Sequence, residues 1–126
     1  MWELLNDIKS AIATIPEVKS VKIGAEMGIS AKDCPAVRII TEYTERSKNV
    51  YYDNGGMQIL LLLDLKNDLE SVYQQSIHLE GAVRAKVEDY VKFTRTDYDQ
   101  DSVTSFKATV MRFSIANLRN GRESCR

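Results

Sequence analysis

The chain is poor in the residues from which most chemistry is built. Its 126 residues hold one histidine, two cysteines, two prolines and one tryptophan. A single imidazole, His78, excludes a histidine-rich metal site, and its place beside Ile77 in a helical pattern reads as a helix-surface or partly buried structural residue. Cys34 and Cys125 lie far apart and belong to no metal-like cluster, so they read as reduced thiols of a cytosolic protein. A nucleophilic Cys34 would want a positioned base, and nothing in the sequence brings His78 to it. Charge of one sign is missing too. Seventeen basic residues against eighteen acidic ones leave a net charge of −1, which argues against nucleic-acid affinity driven by bulk charge. No apolar run is long enough for a bilayer, which takes about 20 residues as a helix. Met1-Trp2-Glu3-Leu4-Leu5 lacks the basic start and continuous apolar core of a signal peptide, so the expectation is a soluble protein made in the cytoplasm.

What is present is ordinary globular material. With 44% hydrophobic and 28% charged residues, a chain of this length suffices for one domain with a core that needs no staples. Leu4, Leu5, Ile8, Ile12 and Ile15 recur at steps of three and four, predicting a helix over residues 2–15 that Pro16 stops. Residues 18–23 alternate as a first strand ended by Gly24, and residues 24–35, with two glycines and Pro35, read as an exposed loop. Residues 36–45 are rich in β-branched side chains and predict a second strand. Arg46 to Asn49 is a polar turn, and Val50-Tyr51-Tyr52 starts the next extended segment. Asp53-Asn54-Gly55-Gly56 is either a tight turn or a bulge, since both use the positive φ that glycine accepts.

The most informative stretch follows. Residues 57–65, Met-Gln-Ile-Leu-Leu-Leu-Leu-Asp-Leu, read as the central strand of a small sheet. Their near-continuous apolarity predicts cover on both faces, from helices or from a partner subunit. Asn67 is placed to cap the next helix, with Glu70 completing a capping-box-like exchange. Leu69, Val72, Tyr73, Ile77, Val83 and Val87 predict its buried side, and Gly81 weakens its middle. Residues 91–95 read as a strand, 97–105 as a polar connection and 106–115 as a last strand. The fold class predicted is α+β, in the order α-β-β-β-α-β-β: a mainly antiparallel sheet of about five strands with two helices packed on one face. Residues 1–117 form the domain and 118–126 a flexible tail.

Candidate chemistry is thin, and no cofactor or metal is expected. Asp97-Tyr98-Asp99-Gln100-Asp101 has the alternating aspartates of a calcium loop, but Ser102 stands where glycine is required and Ala108 where glutamate is required. Asn54-Gly55-Gly56 lacks the Gly-Lys-Ser/Thr and helix N-terminus of a phosphate cradle. Tyr43, Tyr51 and Tyr52 with Arg38, Arg46 and Lys48 make a modest aromatic-basic cluster, but interleaved Glu42 and Glu45 spoil it for single-stranded nucleic acid. No sequence-specific nucleic-acid binding is expected. Trp2 reads as a hydrophobic lid on the first helix. No nucleophile–base or metal-ligand set can be assembled, so an enzyme is not expected.

With these residues placed, the chain resembles the tail terminator (minor tail protein U-like) proteins of long-tailed bacteriophages and prophages. The resemblance is one of layout over roughly residues 3–116. An N-terminal helix leads to a loop ending in Asp33-Cys34-Pro35-Ala36-Val37, which launches a strand. A polar hairpin, the apolar strand 57–65 and a long helix follow, then the Tyr/Asp-rich connection Asp97 to Asp101 and a final strand ending near Phe113. The resemblance implies a structural protein that forms a ring, typically of six copies, on the end of the tail tube. Such a ring stops tube growth and offers a surface to a head-completion or neck protein. It implies assembly in the host bacterial cytoplasm and residence in the virion tail. A ring of identical copies needs two different, complementary patches on each monomer. Asp97, Asp99 and Asp101 are the candidate acidic patch, and Arg38, Arg46 and Lys48 the basic one. Two other readings stay open. A head–tail joining protein shares the general design, whereas a small-ligand-binding regulatory domain would line a pocket with residues 59–63.

Overall fold

The apolar run does become the middle of a sheet, and the strand it belongs to is longer than the run. The computed structural model describes residues 1–24, 29–46, 48, 52–64, 69–98 and 106–119. Five strands, β1 (Ser20–Ile23), β2 (Ala36–Arg46), β3 (Tyr52–Asp64), β4 (Lys92–Asp97) and β5 (Phe106–Arg119), lie in the order β1-β2-β3-β5-β4. Two helices, α1 (Trp2–Ala13) and α2 (Leu69–Val87), complete a single α+β domain with the element order α-β-β-β-α-β-β. Both helices pack on one face of the sheet. Side chains alternate across a strand, so Met57, Ile59, Leu61 and Leu63 point one way. They share one buried cluster with Val37, Ile39, Met111, Phe113 and Ile115 of the flanking strands, and with Leu5, Ile8, Ile12, Val72, Leu79, Val83 and Val87 of the helices. Each such side chain, fully withdrawn from water, contributes about 1.5–3 kcal/mol.

The sheet is mixed. β2·β3, β3·β5 and β4·β5 are antiparallel, but β1 runs parallel to β2, with Ser20 opposite Ala36 and Ile23 opposite Ile39. A parallel neighbour requires a crossover of about a dozen residues, and residues 24–35 supply it. That segment is not simply an exposed loop. It contains a 3₁₀ turn, Ala31–Asp33, and its Cys34 is buried. The Lys19 N–H donates to the Pro35 carbonyl (2.9 Å), and the Gly24 N–H, at φ +103°, to that of Ile39 (2.7 Å).

Of the two possibilities for residues 53–56, neither is realised, because the extra residue at each irregularity lies on a neighbouring strand, β2 or β5. β3 starts at Tyr52 and runs straight through Gly55-Gly56. Its register shifts between Asp53 and Gly55 against β5, and that of β2 shifts between Thr41 and Tyr43 against β3. β4 lies at Lys92–Asp97, so Asp97 closes a strand instead of opening a connection. β5 continues past its expected end, with Leu118 and Arg119 paired to Asp53 and Tyr52. Of the expected tail at 118–126, Leu118 and Arg119 belong to β5 instead, and residues 120–126, the Asn67 cap and the connection at 99–105 lie outside the described residues.

Two helical expectations are corrected. α1 ends at Ala13, where the Thr14 hydroxyl donates to the Ala11 carbonyl (2.6 Å), and Trp2 is 65% exposed rather than a lid. In α2 the buried side is Val72, Ser76, Leu79, Glu80, Val83 and Val87, while Ile77 is 57% exposed. At about 100° per residue, Ile77 lies roughly a third of a turn from the centre of that side.

Candidate assembly surface

Among the described residues, the side of the sheet away from the helices carries no second layer of helix. Pairing register places its side chains in rows. Ser20, Ala36, Leu62 and Ala108 form one; Lys22, Arg38, Leu60, Val110 and Asp97 a second; Ile40, Gln58, Arg112 and Arg95 a third; Tyr43, Gly56, Ser114 and Lys92 a fourth. The expected cover of β3 on both faces is thus met on one only. Leu61 is wholly buried among the helices, whereas Leu60 and Leu62 keep part of their surface in water. In the fourth row the Tyr43 ring lies over Gly56, so closely that a β-carbon at position 56 would sit 2.3 Å from Tyr43 Cε1. Glycine is required there to let an aromatic ring cover the backbone.

Charges on this face are engaged with one another. Arg112 Nη1 donates to Glu42 Oε2 (3.0 Å), and its Nε donates to Asp97 Oδ2 (3.2 Å). Arg95 Nε also donates to Asp97 Oδ2 (3.1 Å). The Glu42–Arg112–Asp97–Arg95 chain joins β2, β5 and β4 across the outer face. Partly exposed pairs of this kind are worth at most about 1 kcal/mol each, so it sets the charge pattern more than the stability.

The residues of the expected complementary patches have separate fates. Arg38 leaves the basic patch. It is 1% exposed, with Nη1 donating to the Val37 carbonyl (2.9 Å) and to Ser20 Oγ (3.2 Å), while the Ser20 hydroxyl donates to the Asp33 carbonyl (3.1 Å). It fastens the β1–β2 crossover to the sheet. Arg46 and Lys48 are exposed at the far end of β2. Asp97 is held by Arg95 and Arg112, and Asp99 and Asp101 lie outside the described residues. Of the tyrosine cluster, Tyr43 is half exposed on the outer face, Tyr51 lies outside the described residues, and Tyr52 opens β3.

The rest of the surface carries no assembled chemistry. His78 is exposed on α2, 3.9 Å from Glu17. Burial, followed by the nearby carboxylates of Asp64 and Asp33, pushes the Cys34 thiol up, and its Sγ donates to the Ser30 carbonyl (3.7 Å). A nucleophilic cysteine needs the opposite shift. Among the described residues no group of three or more His, Cys, Asp or Glu could hold a metal ion, and no helix is long and apolar enough to cross a membrane. Two open grooves are present. One of 590 Å³ runs between the end of α2 and β4, past Arg84, Glu88, Tyr90 and Phe93, with the Arg84 guanidinium 3.7 Å over the Phe93 ring. The other, of 340 Å³, lies by Glu17, Cys34 and Asp64. Of residues 59–63, which the ligand-binding alternative would set along a pocket, Leu63 lines the smaller of these two grooves and the other four line neither.

Sequence reasoning missed the outer-face ion chain, whose partners are far apart in the chain, and the placement of Glu80. That carboxylate is 8% exposed and accepts from the Thr96 hydroxyl (2.9 Å), tying α2 to β4. Nothing in the local pattern signals a buried glutamate on a helix whose neighbours are equally polar.

No protein-family model matches the chain, and no curated protein matches it. Among solved structures it is similar to a chain of the virion of a native gene transfer agent (GTA) particle. The two share 10% identity at a TM-score of 0.46, over 94% of this chain and 91% of that one.

Proposed function

We propose that this chain is a structural assembly protein of a phage or prophage particle, acting as a tail terminator does. It forms a ring on the end of the tail tube, stops tube growth and presents a surface for joining the head. Its partners are then copies of itself, the tail tube protein and a head-completion or neck protein. Two things support this. The first is the layout described for the sequence, from the Asp33 to Val37 launch of β2 to the Tyr/Asp-rich segment at 97–101. The second, which carries the reading, is the part of the outer face that the described residues leave only half covered, around Ile40, Gln58, Leu60 and Leu62. A near-neutral protein that keeps Leu60, Leu62 and Ile40 only half-buried, framed by charges and an exposed tyrosine, is built to meet another protein surface. Asp97, Asp99 and Asp101 remain the candidate acidic patch of that contact, now set against Arg46 and Lys48 without Arg38.

Electron microscopy of particles made without the protein tests the proposal. Overlong or unjoined tails support a terminator. Finished tails beside leaking heads would move the protein to the neck, and particles of normal form would end the structural reading altogether.

A further inference from the structure

The two sides of the sheet end in strands of unequal design. β1 has only four residues and covers β2 no further than Ile39. Beyond it, residues 40–46 of β2 pair with β3 on one side, and among the described residues no strand pairs with the other. At the opposite edge β4, six residues long, pairs among the described residues with β5 alone. Unpaired strand edges are templates for another strand, and a chain must either blunt them or use them.

We propose that these two edges pair with each other between copies of this chain, so that β4 of one copy extends the sheet of the next along residues 40–45. This rests on the proposal that the protein works as an assembly of its own copies. Within one sheet β4 runs opposite to β2, so a copy added in the same orientation brings the two together antiparallel. One register opposes unlike charges of the two strands, and it sets Asp97 against Ile40 and not against Arg46 or Lys48. It sets Glu45 opposite Lys92, Thr44 opposite Phe93, Glu42 opposite Arg95, Thr41 opposite Thr96 and Ile40 opposite Asp97.

In that register two pairs, Glu45–Lys92 and Glu42–Arg95, are opposite in sign, and directly opposed unlike charges favour pairing. The faces match as well. Glu45 and Ile40 lie on the outer face with Lys92, Arg95 and Asp97, and Thr44 and Thr41 on the helix side with Phe93 and Thr96, as their register with β3 and β5 requires, and Glu42 joins the outer face through Arg112. The irregularities nearly coincide. The extra residue is Glu42 in β2 and Thr94 in β4, so the two bends fall next to each other in this register. A strand shifted by one residue would lose the face match at every position. The contact is heterologous, one edge against a different one, which is the type that closes rings. Within the chain the Arg95 guanidinium donates to Asp97 and the Glu42 carboxylate accepts from Arg112, and both keep part of their surface in water, where a neighbour reaches them.

The test is charge reversal in the full chain. Glu45→Lys and Lys92→Glu alter exposed side chains, so both variants should fold, as their circular dichroism and melting will show. Each alone should weaken self-association about tenfold, measured by sedimentation over a wide concentration range, because an attractive opposed pair becomes a repulsive one. The double variant, which restores the pair with its signs exchanged, should recover most of the loss. In the unaltered protein, assembly should protect the amides of residues 41–45 and 92–97 from hydrogen exchange. Assembly that is indifferent to both single variants, or that protects other segments, would overturn this contact while leaving the particle experiment to judge the structural role. A chain that stays monomeric at every concentration overturns it too.

Discussion

The two faces of one sheet teach different lessons, although they are built from the same strands. On the helix side, Met57, Ile59 and Leu61 are closed off from water by α1 and α2, and the packing is that of an ordinary interior. On the outer side the alternate residues of the same strands, Ile40, Gln58, Leu60 and Leu62, stay half in water, and their neighbours are a salt-bridged chain and an aromatic ring over a glycine. The first face holds the molecule together. The second is where a binding partner would add to it.

That contrast can be broken most directly with adjacent leucines. Leu61→Ala empties a fully enclosed site and should cost about 2–5 kcal/mol in denaturant unfolding. Leu60→Ala, one residue away, should cost under about 1.5 kcal/mol in the isolated chain and show its larger effect in assembly. Equal losses in the two would mean that the outer face is as sealed as the inner one. Gly56→Ala should cost about 1–3 kcal/mol, because the new β-carbon displaces the Tyr43 ring. Removing that ring as well, in Tyr43→Ala/Gly56→Ala, should relieve much of the penalty in a thermal melt.

Smaller effects sharpen the comparison. Gly81 is exposed on α2, and a β-carbon there would meet nothing within 4 Å, so Gly81→Ala should stabilise by about 0.5–1 kcal/mol. The smallest effect concerns Asp33 in the crossover that carries β1. The Ser30 N–H (3.1 Å) and the Ser30 hydroxyl (3.2 Å) donate to its Oδ2 and hold the carboxyl below its ordinary value of 3.8. A lowered value means that the ionised form favours the folded state. Its contribution is present above about pH 4 and fades as pH falls through the lowered value. Asp33→Asn should therefore lower the melting temperature slightly at pH 7, and the difference should shrink as the pH falls through the lowered value.

Much of the covered face was legible in the sequence, and little of the open one. The run at 57–65 announced a central strand because apolar residues on both sides of a strand are rare outside sheet interiors. The steps from Leu5 to Ile12 announced α1 because three- and four-residue spacing has one physical explanation. What was not legible depends on distance. The parallel course of β1 is decided by how residues 24–35 cross over, which local propensity does not encode. The misplacement of Ile77 arose because apolar residues of α2 fit more than one helical stripe, and only packing against the sheet chose between them. The burial of Arg38 goes with bonds to Ser20 and to the Val37 carbonyl, neither of which a charge pattern reveals. Asp97 looked like part of a solvated acidic end, and only the fold brings Arg112 to it.

The placement of Trp2 has a consequence for the bench. The single indole of this protein already stands in water at the first turn of α1, so its emission should be that of a hydrated fluorophore before any denaturant is added. Melting of the interior would pass nearly unseen in that channel. Docking of another molecule against this end of the helix would shift the emission to shorter wavelength, making the residue a built-in optical probe of contact rather than of unfolding.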